Sequence, residues 1–125
     1  MGEMWVGLMT DSNGFELKNP AGDQLWILET PLEYVSTLAN VTVPKGFITD
    51  FASVPRLPFV YDVLANMAQR AAVVHDYLYS MGIVPRAIAD KVLLEAMKIS
   101  GVSWAKRNAI YLGVRIGGAS HYKKG

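Results

Sequence analysis

The pattern of hydrophobic and polar residues differs between the first fifty residues and the rest of the chain. In the first part, short apolar stretches are separated by turn residues, which predicts the strands of a small antiparallel sheet or meander. These stretches lie at residues 4–9, 15–18, 24–29, 32–35, 40–43 and 47–49. The 24–29 stretch alternates only in part, which favours a strand that is buried on both faces.

From Asp62 onward, apolar residues recur at helical spacing, and two turns that contain glycine interrupt the pattern. Asp62 is a candidate N-cap, and the short turn at 80–85, with Gly82 and Pro85, indicates that the first two helices form an antiparallel pair. The predicted helices cover residues 63–80, 86–99 and 103–116. The sequence therefore predicts an α+β fold in which a small N-terminal antiparallel β-sheet precedes a C-terminal three-helix bundle.

The composition is that of one small folded domain. The chain has 125 residues, of which 51% are hydrophobic and 18% are charged, so it can form a substantial core. We expect a single domain over residues 1–125. It comprises a β-rich part at 1–50, a loop at 50–61, a helical part at 62–117 and a basic, solvated tail at 118–125.

The same composition disfavours several classes of function. The chain has no cysteine, which excludes disulfides and thiolate metal sites. Its net charge of +1 gives no indication of nucleic-acid binding. No apolar run reaches the length of a membrane span, and residues 1–9 lack the positive start of a secretory signal, so we expect synthesis in the cytoplasm.

An ionisable pair, His75 and Asp76, lies in the otherwise apolar sequence of the first predicted helix. His75 and Tyr79 are four residues apart and therefore share one helix face, whereas Asp76 points about 100° away. Asp90 follows the turn, where the antiparallel partner helix brings it opposite His75. Alternatively, Asp90 is an acid that stabilises the start of its own helix through the helix dipole.

Three interpretations of this group remain open, of which the least favoured is a solvent-exposed pair. In the first, His75 and Asp76 form a hydrogen-bonded structural pair that fixes the helix to the loop around Asp50. In the second, His75 is a general base that Asp90 orients, and Asp76 binds a cation. Histidine suits the base role because it titrates near neutral pH. Tyr79 would hold Asp90 with its hydroxyl, or would be an ordinary core tyrosine.

The loop that precedes the helices carries further candidates. Asp50 can serve as a second oxygen ligand for a hard cation such as Ca²⁺, although a turn or an ion pair with Arg56 or Arg70 is the favoured interpretation. Ser53 lacks the Gly-x-Ser-x-Gly sequence of a serine nucleophile. Arg56 and Arg86 are able to clamp a phosphate or carboxylate, but we favour surface or structural pairing for both.

The third predicted helix combines apolar and basic residues. It can be an amphipathic surface helix that faces a membrane or a partner protein. Packing into the core with one cationic, solvated face is the favoured interpretation. The residues concerned are Trp104, Tyr111, Val114 and Ile116 together with Lys106, Arg107 and Arg115.

Two short sequences, TDFASVPR at 49–56 and HDYLY at 75–79, are followed by Arg86 and Asp90. This combination resembles an uncharacterised family of small proteins from tailed phages and prophages. The resemblance extends over about residues 46–118 and implies a phage origin. It brings no established activity with it.

A second, local resemblance concerns the predicted helix pair. His75-Asp76-x-x-Tyr79 on one helix and Asp90 on the next are similar to the catalytic helices of secreted phospholipases A2. This resemblance implies that His75 activates a water and that Asp76 binds Ca²⁺. It further implies that Asp90 orients His75 with the help of Tyr79. The chain lacks the cysteines and the glycine-rich calcium loop of that family, so Asp50 and its neighbours would have to replace the loop.

The leading hypothesis is a phage-encoded, calcium-dependent hydrolase that acts on a phospholipid ester of the host membrane. His75, Asp90 and Tyr79 would be its catalytic residues, with Asp76 and Asp50 as metal ligands. The alternative is a non-enzymatic component of the virion, in the tail or at the head–tail junction. Its partners would be other virion proteins or further copies of itself. A small inhibitor of a host protein is a third possibility, for which the sequence offers no direct argument.

The two main hypotheses predict different surroundings for His75. An enzyme needs this side chain to be reachable through a cleft with an apolar rim. A structural component is expected to bury the polar group and to expose a large apolar patch for its neighbours. Both hypotheses place the protein in the host cytoplasm during synthesis and leave a later location in the virion open.

Overall fold

A computed structural model describes residues 25–49 and 69–123, and the backbone alone of residues 6–8. These residues form five strands, three α-helices and a short 3-10 helix. The strands are β1 (Val6–Leu8), β2 (Trp26–Leu28), β3 (Leu32–Val35), β4 (Asn40–Val43) and β5 (Ile48–Thr49). The α-helices are α1 (Gln69–Met81), α2 (Arg86–Ile99) and α3 (Trp104–Gly117), and the 3-10 helix is Ala119–His121. The α+β fold class is therefore confirmed.

The strands pair antiparallel, as predicted, and they form two separate groups. One group has the order β1-β2-β5, with Ile27 opposite Ile48. The other is the β3-β4 hairpin, with Leu32 opposite Val43. Pro31, which has no backbone N–H to donate, separates β2 from β3 and interrupts the ladder between the two groups.

Burial along the strands follows their alternation. In β3 and β4 every second residue is buried and the residues between are exposed, so one face packs on the core and the other faces solvent. In β2, Trp26 and Ile27 are half-buried and Leu28 is buried, so both faces are at least partly covered, as predicted.

The helix ends that lie within 69–123 are close to where the sequence predicts them, whereas the predicted start of the first helix at residue 63 lies outside the described residues. Gly82 has a positive φ of 62° and donates its N–H to the Leu78 carbonyl, which closes α1. Gly101 closes the turn after α2 with a φ of 87°. The Ser103 hydroxyl accepts a hydrogen bond from the Lys106 amide at the start of α3. The predicted N-cap Asp62 lies outside the described residues.

Helix α1 is the centre of the described core. Five consecutive residues, 71–75, are buried, which requires that the helix be covered on all sides. The β4 and β5 strands contact it on one side and α2 contacts it on another, while α3 packs against α2. The apolar residues that recur at helical spacing in α2 are buried at Val92, Leu93, Ala96 and Met97, and Ile88 is half-buried. None of the helices within 69–123 is long and apolar enough to cross a membrane.

The favoured interpretation of the third helix is wrong for two of its four apolar residues. Val114 is buried as expected, and Tyr111 is half-buried, but Trp104 and Ile116 are exposed. Ile110 is the other buried residue of α3. The helix therefore rests on the core by a narrow stripe and turns large apolar side chains to solvent.

A glutamate joins the hairpin to the helices. The Tyr34 hydroxyl donates to one oxygen of Glu95 over 2.9 Å, and the Thr37 hydroxyl donates to the other. The hydrogen bond from Thr37 is the largest contribution that lowers the pKa of Glu95. Strands β3 and β4 are thus fixed to α2 by polar contacts as well as by the apolar face.

Candidate functional site

The predicted meeting of His75 with Asp90 is present in the structure. His75 lies on α1 and Asp90 on α2, and the antiparallel packing of the two helices brings His75 Nε2 to 2.8 Å from Asp90 Oδ1. Both side chains are completely buried. Buried ionisable side chains need partners, and each provides one for the other.

Tyr79 completes the predicted group of three. Its hydroxyl donates to Asp90 Oδ1, the same oxygen that His75 contacts, over 2.5 Å. One helical turn separates Tyr79 from His75, and their ring centres lie 4.2 Å apart. The interpretation of Asp90 as an acid that acts on its own helix dipole does not account for this buried, inward position.

Two arginines neutralise the buried carboxylate. Arg115 of α3 donates from Nη1 to Asp90 Oδ2 over 2.7 Å. Arg86 places its Nη1 3.8 Å from the same oxygen and donates to the Val114 and Arg115 carbonyls. Arg86 therefore has the structural pairing that the sequence favoured, and it holds the end of α3 against the start of α2.

Arg115 is the one partner of Asp90 that the sequence does not single out. The sequence predicts a place for it with Lys106 and Arg107 on a cationic, solvated face, whereas it contacts the buried carboxylate. A buried aspartate requires a cation nearby, and that requirement was the available signal. The sequence offers several arginines, and only the packing of α3 on α2 selects this one.

The ionisation of Asp90 determines the tautomer of His75. Burial by itself raises the pKa of Asp90, but hydrogen bonds from His75, Tyr79 and Arg115 outweigh it and hold that pKa below its usual value. An ionised carboxylate can only accept hydrogen bonds, so His75 carries its proton on Nε2. The lone pair of the neutral imidazole is then on Nδ1. Burial and the bond to Asp90 raise the pKa of Tyr79, which keeps its hydroxyl protonated as a donor.

Asp76 lies beside this group but points elsewhere, as predicted. Its Oδ2 accepts a hydrogen bond of 2.5 Å from the hydroxyl of Thr49, which is buried at the end of β5. This bond joins the sheet to α1 and agrees with the structural interpretation of the acid. Within 25–49 and 69–123, no three histidine or acidic side chains are placed to hold a metal ion.

Three of the predicted site residues cannot be compared with the structure. Asp50, the second calcium ligand, and Ser53 and Arg56 lie outside the described residues. The roles suggested for them stay predictions.

The start of the predicted tail packs over the site. The Tyr122 ring meets the Tyr79 ring edge to face at 5.4 Å, and its hydroxyl donates to the Val84 carbonyl over 2.7 Å. The Lys123 amide donates to the Tyr79 carbonyl over 2.9 Å. Residues 118–123 therefore form part of the fold, although the Lys123 side chain is exposed as expected.

Replacing Gly118 with alanine is expected to lower the free energy of unfolding by about 1–3 kcal/mol. A Cβ at this position would lie 2.8 Å from the Tyr79 hydroxyl and would also overlap the Val114 carbonyl of the backbone. The matched control is Gly117→Ala, because a Cβ there meets nothing within 4 Å. Urea unfolding of both variants measures the difference, and equal stabilities would contradict the close packing at Gly118.

The chain belongs to a family that is described as Protein of unknown function (DUF1353), whose model matches residues 26–114. The match includes His75, Tyr79, Arg86 and Asp90. No curated protein and no solved structure matches the chain. The expectation of an uncharacterised family is therefore confirmed.

Proposed function

We propose that the protein is a hydrolase with a His75–Asp90 dyad that cleaves a phospholipid ester by direct attack of water. One observation carries this proposal. His75 Nε2 and the Tyr79 hydroxyl meet the same oxygen of Asp90, at 2.8 and 2.5 Å, on an antiparallel helix pair. This is the arrangement that the resemblance to phospholipases A2 implies, and it fixes both the orientation and the tautomer of the histidine.

His75 is the general base in this proposal. Water gives a proton to Nδ1 while its oxygen forms a bond to the ester carbonyl carbon. The tetrahedral intermediate then collapses, the bond between that carbon and the alcohol oxygen breaks, and the alcohol leaves with the proton from His75. Asp90 stabilises the imidazolium between these two steps, and it does not itself take the proton.

Arg115 and Tyr79 are positioning residues in this reaction. Arg115 keeps Asp90 ionised, so that the carboxylate accepts from Nε2 and never donates to it. Tyr79 donates to the same carboxylate oxygen that Nε2 contacts and so holds that oxygen in position. Their loss would loosen the orientation of His75 without removing the base.

Complete burial of His75 sets a condition on the reaction. Substrate and water reach Nδ1 only when the residues that cover this side chain move. Enzymes commonly combine such an opening with the exclusion of bulk water during the reaction. We therefore place the described conformation before substrate entry.

In this proposal Asp76 and Asp50 would be the ligands of Ca²⁺. Hard cations prefer carboxylate oxygens, and a bound Ca²⁺ supplies stabilisation of the oxyanion. Asp76 accepts from Thr49 through Oδ2 in the described conformation, and a carboxylate can keep such a hydrogen bond while it binds a cation. Dependence of the activity on Ca²⁺ is the test of this part.

The test is fatty-acid release from vesicles of mixed phospholipids by the purified full chain, with Ca²⁺ or with a chelator. Release that the chelator abolishes is the expected result. Release in both conditions would remove calcium from the proposal and leave the dyad in place. A folded protein that releases no fatty acid in either condition would overturn the hydrolase.

The second candidate is a non-enzymatic component of a phage virion. Complete burial of His75 and Asp90 favours it, because such a group fixes helix positions without any contact with a substrate. The exposed apolar residues of α3 also agree with a packing surface. Mass spectrometry of purified particles tests this candidate, since a structural component must be present there in fixed copy number. Its absence from the particles would exclude the structural role.

A further inference from the structure

Helix α3 turns a stripe of large apolar side chains to solvent. Trp104 is 70% exposed, Leu112 is 59% exposed and Ile116 is 77% exposed. At about 100° per residue these three positions fall within about 120° of the helix circumference. The buried residues Ile110 and Val114 lie on the opposite side. We call Trp104, Leu112 and Ile116 the α3 stripe.

Charge is distributed unevenly along the chain. Six of the 12 lysines and arginines follow Glu95, whereas all 11 acidic residues lie at or before it. Residues 96–125 therefore carry a net charge of +6, and residues 1–95 carry −5. The near-neutral total conceals a strongly basic last quarter, in which the apolar stripe lies.

Three of these basic side chains are exposed to solvent within the described residues. Lys106 is on α3 itself, Lys98 is in the last turn of α2 and Lys123 follows the 3-10 helix. Arg107 donates to the Val102 carbonyl, and Arg115 is held by Asp90. The exposed lysines therefore belong to the same basic segment as the α3 stripe, with Lys106 about 80° beyond Ile116 around the helix, and the two arginines serve the fold.

We propose that α3 is the surface by which the protein lies on an anionic phospholipid bilayer. A helix with an apolar face, within a basic segment, lies in the interface plane of a membrane, and its apolar side chains enter the acyl boundary. Tryptophan is enriched at that depth, and anionic lipid attracts basic residues from the aqueous side. A second copy of the chain is a poorer occupant, because paired α3 helices would bring two basic segments together.

The membrane surface rests on the proposed hydrolase for its biological purpose, because the bilayer is what presents the phospholipid ester to the enzyme. Adsorption itself requires neither His75 nor hydrolysis. Arg115 projects from the same helix and contacts Asp90, so the membrane surface and the buried site share one element.

Vesicle sedimentation of the full chain tests the surface. One set of vesicles contains equal parts of phosphatidylglycerol and phosphatidylcholine, and the other contains phosphatidylcholine alone. We expect the protein to sediment with the anionic vesicles at least about tenfold more strongly, and to dissociate at about 0.5 M salt.

Paired substitutions locate the binding surface. Leu112→Gln together with Ile116→Gln is expected to weaken binding by about tenfold or more, because less apolar surface enters the lipid. Glutamine keeps the helix propensity of these exposed positions, and circular dichroism checks the fold. The matched control is Val35→Gln, which removes a side chain that is 79% exposed on β3. Binding of the control is expected to stay unchanged.

Three results would overturn the proposed surface. They are no sedimentation with anionic vesicles, an equal loss in the Val35→Gln control, and a dimer in light scattering that the double substitution dissolves. Fatty-acid release from the same vesicles separates this proposal from the hydrolase. Binding without release supports the surface and counts against hydrolysis. Release that the double substitution leaves unchanged, with unchanged binding, supports hydrolysis and overturns the surface.

Discussion

Replacing His75 with glutamine is expected to slow fatty-acid release by about 10²–10⁴-fold. The amide of glutamine can still donate a hydrogen bond towards Asp90, but it cannot take a proton from water at neutral pH. The variant therefore removes the base and retains a polar side chain of similar reach in the buried position. The measurement is the initial rate of release from mixed phospholipid vesicles in the presence of Ca²⁺.

The chain provides a matched control for this experiment in its second histidine. His121 is exposed on the 3-10 helix and lies outside the Asp90 group, so His121→Gln is expected to keep the rate of the unmodified protein. Urea unfolding of both variants establishes that the folded state is retained. A His75→Gln variant that remains folded and releases fatty acid at the original rate would exclude His75 as the base.

Replacing Asp90 with asparagine is expected to lower the free energy of unfolding by about 3 kcal/mol. The substitution keeps the size of the side chain but removes the charge that compensates Arg115. In the unmodified protein, three hydrogen-bond donors converge on this carboxylate, from His75, Tyr79 and Arg115. The substitution replaces that carboxylate with an amide. This loss of stability is at the lower end of the range that is usual when one partner of a buried ion pair is removed. We expect the lower end because the Arg115 side chain is 33% exposed, and water can partly replace its partner.

Urea unfolding at pH 7 measures this loss, and Glu33→Gln is the control because Glu33 is exposed on β3. The effect also has a direction in pH. The pKa of Asp90 is lower in the folded protein than in the unfolded chain, so its contribution is complete above about pH 4 and is lost as the pH falls through the folded-state pKa. The variant should therefore lose less stability on acidification than the unmodified protein. A cost below about 1 kcal/mol at pH 7 would contradict the role of Asp90 as the centre of the group.

The meeting of His75, Tyr79 and Asp90 was predictable because it depends on short-range geometry. Helical spacing places the first two on one face, and the six-residue turn at 80–85 leaves few ways to pack the next helix. The resemblance to a known helix pair then suggested which side chains meet. Every step concerns residues that are at most fifteen positions apart.

The contacts of Arg115 and Thr49 were not predictable in the same way. Arg115 reaches Asp90 across 25 residues, and Thr49 reaches Asp76 across 27. Each contact depends on how a third element is placed on the helix pair, and periodicity contains no information about that placement. The prediction that Trp104 packs into the core failed for the same reason.

Within the described residues, the sequence by itself determined the order and ends of the helices, the antiparallel pairing of the strands and the inward face of the α1–α2 pair. These features follow from local rules, since caps, glycine turns and apolar spacing act within a few residues. The tertiary structure alone decided that His75 is completely buried, that Arg115 neutralises Asp90 and that the α3 stripe faces solvent. Those features depend on the rotation of α3 about its axis and on its position against α2, which are set by the packing of side chains that are distant in the chain.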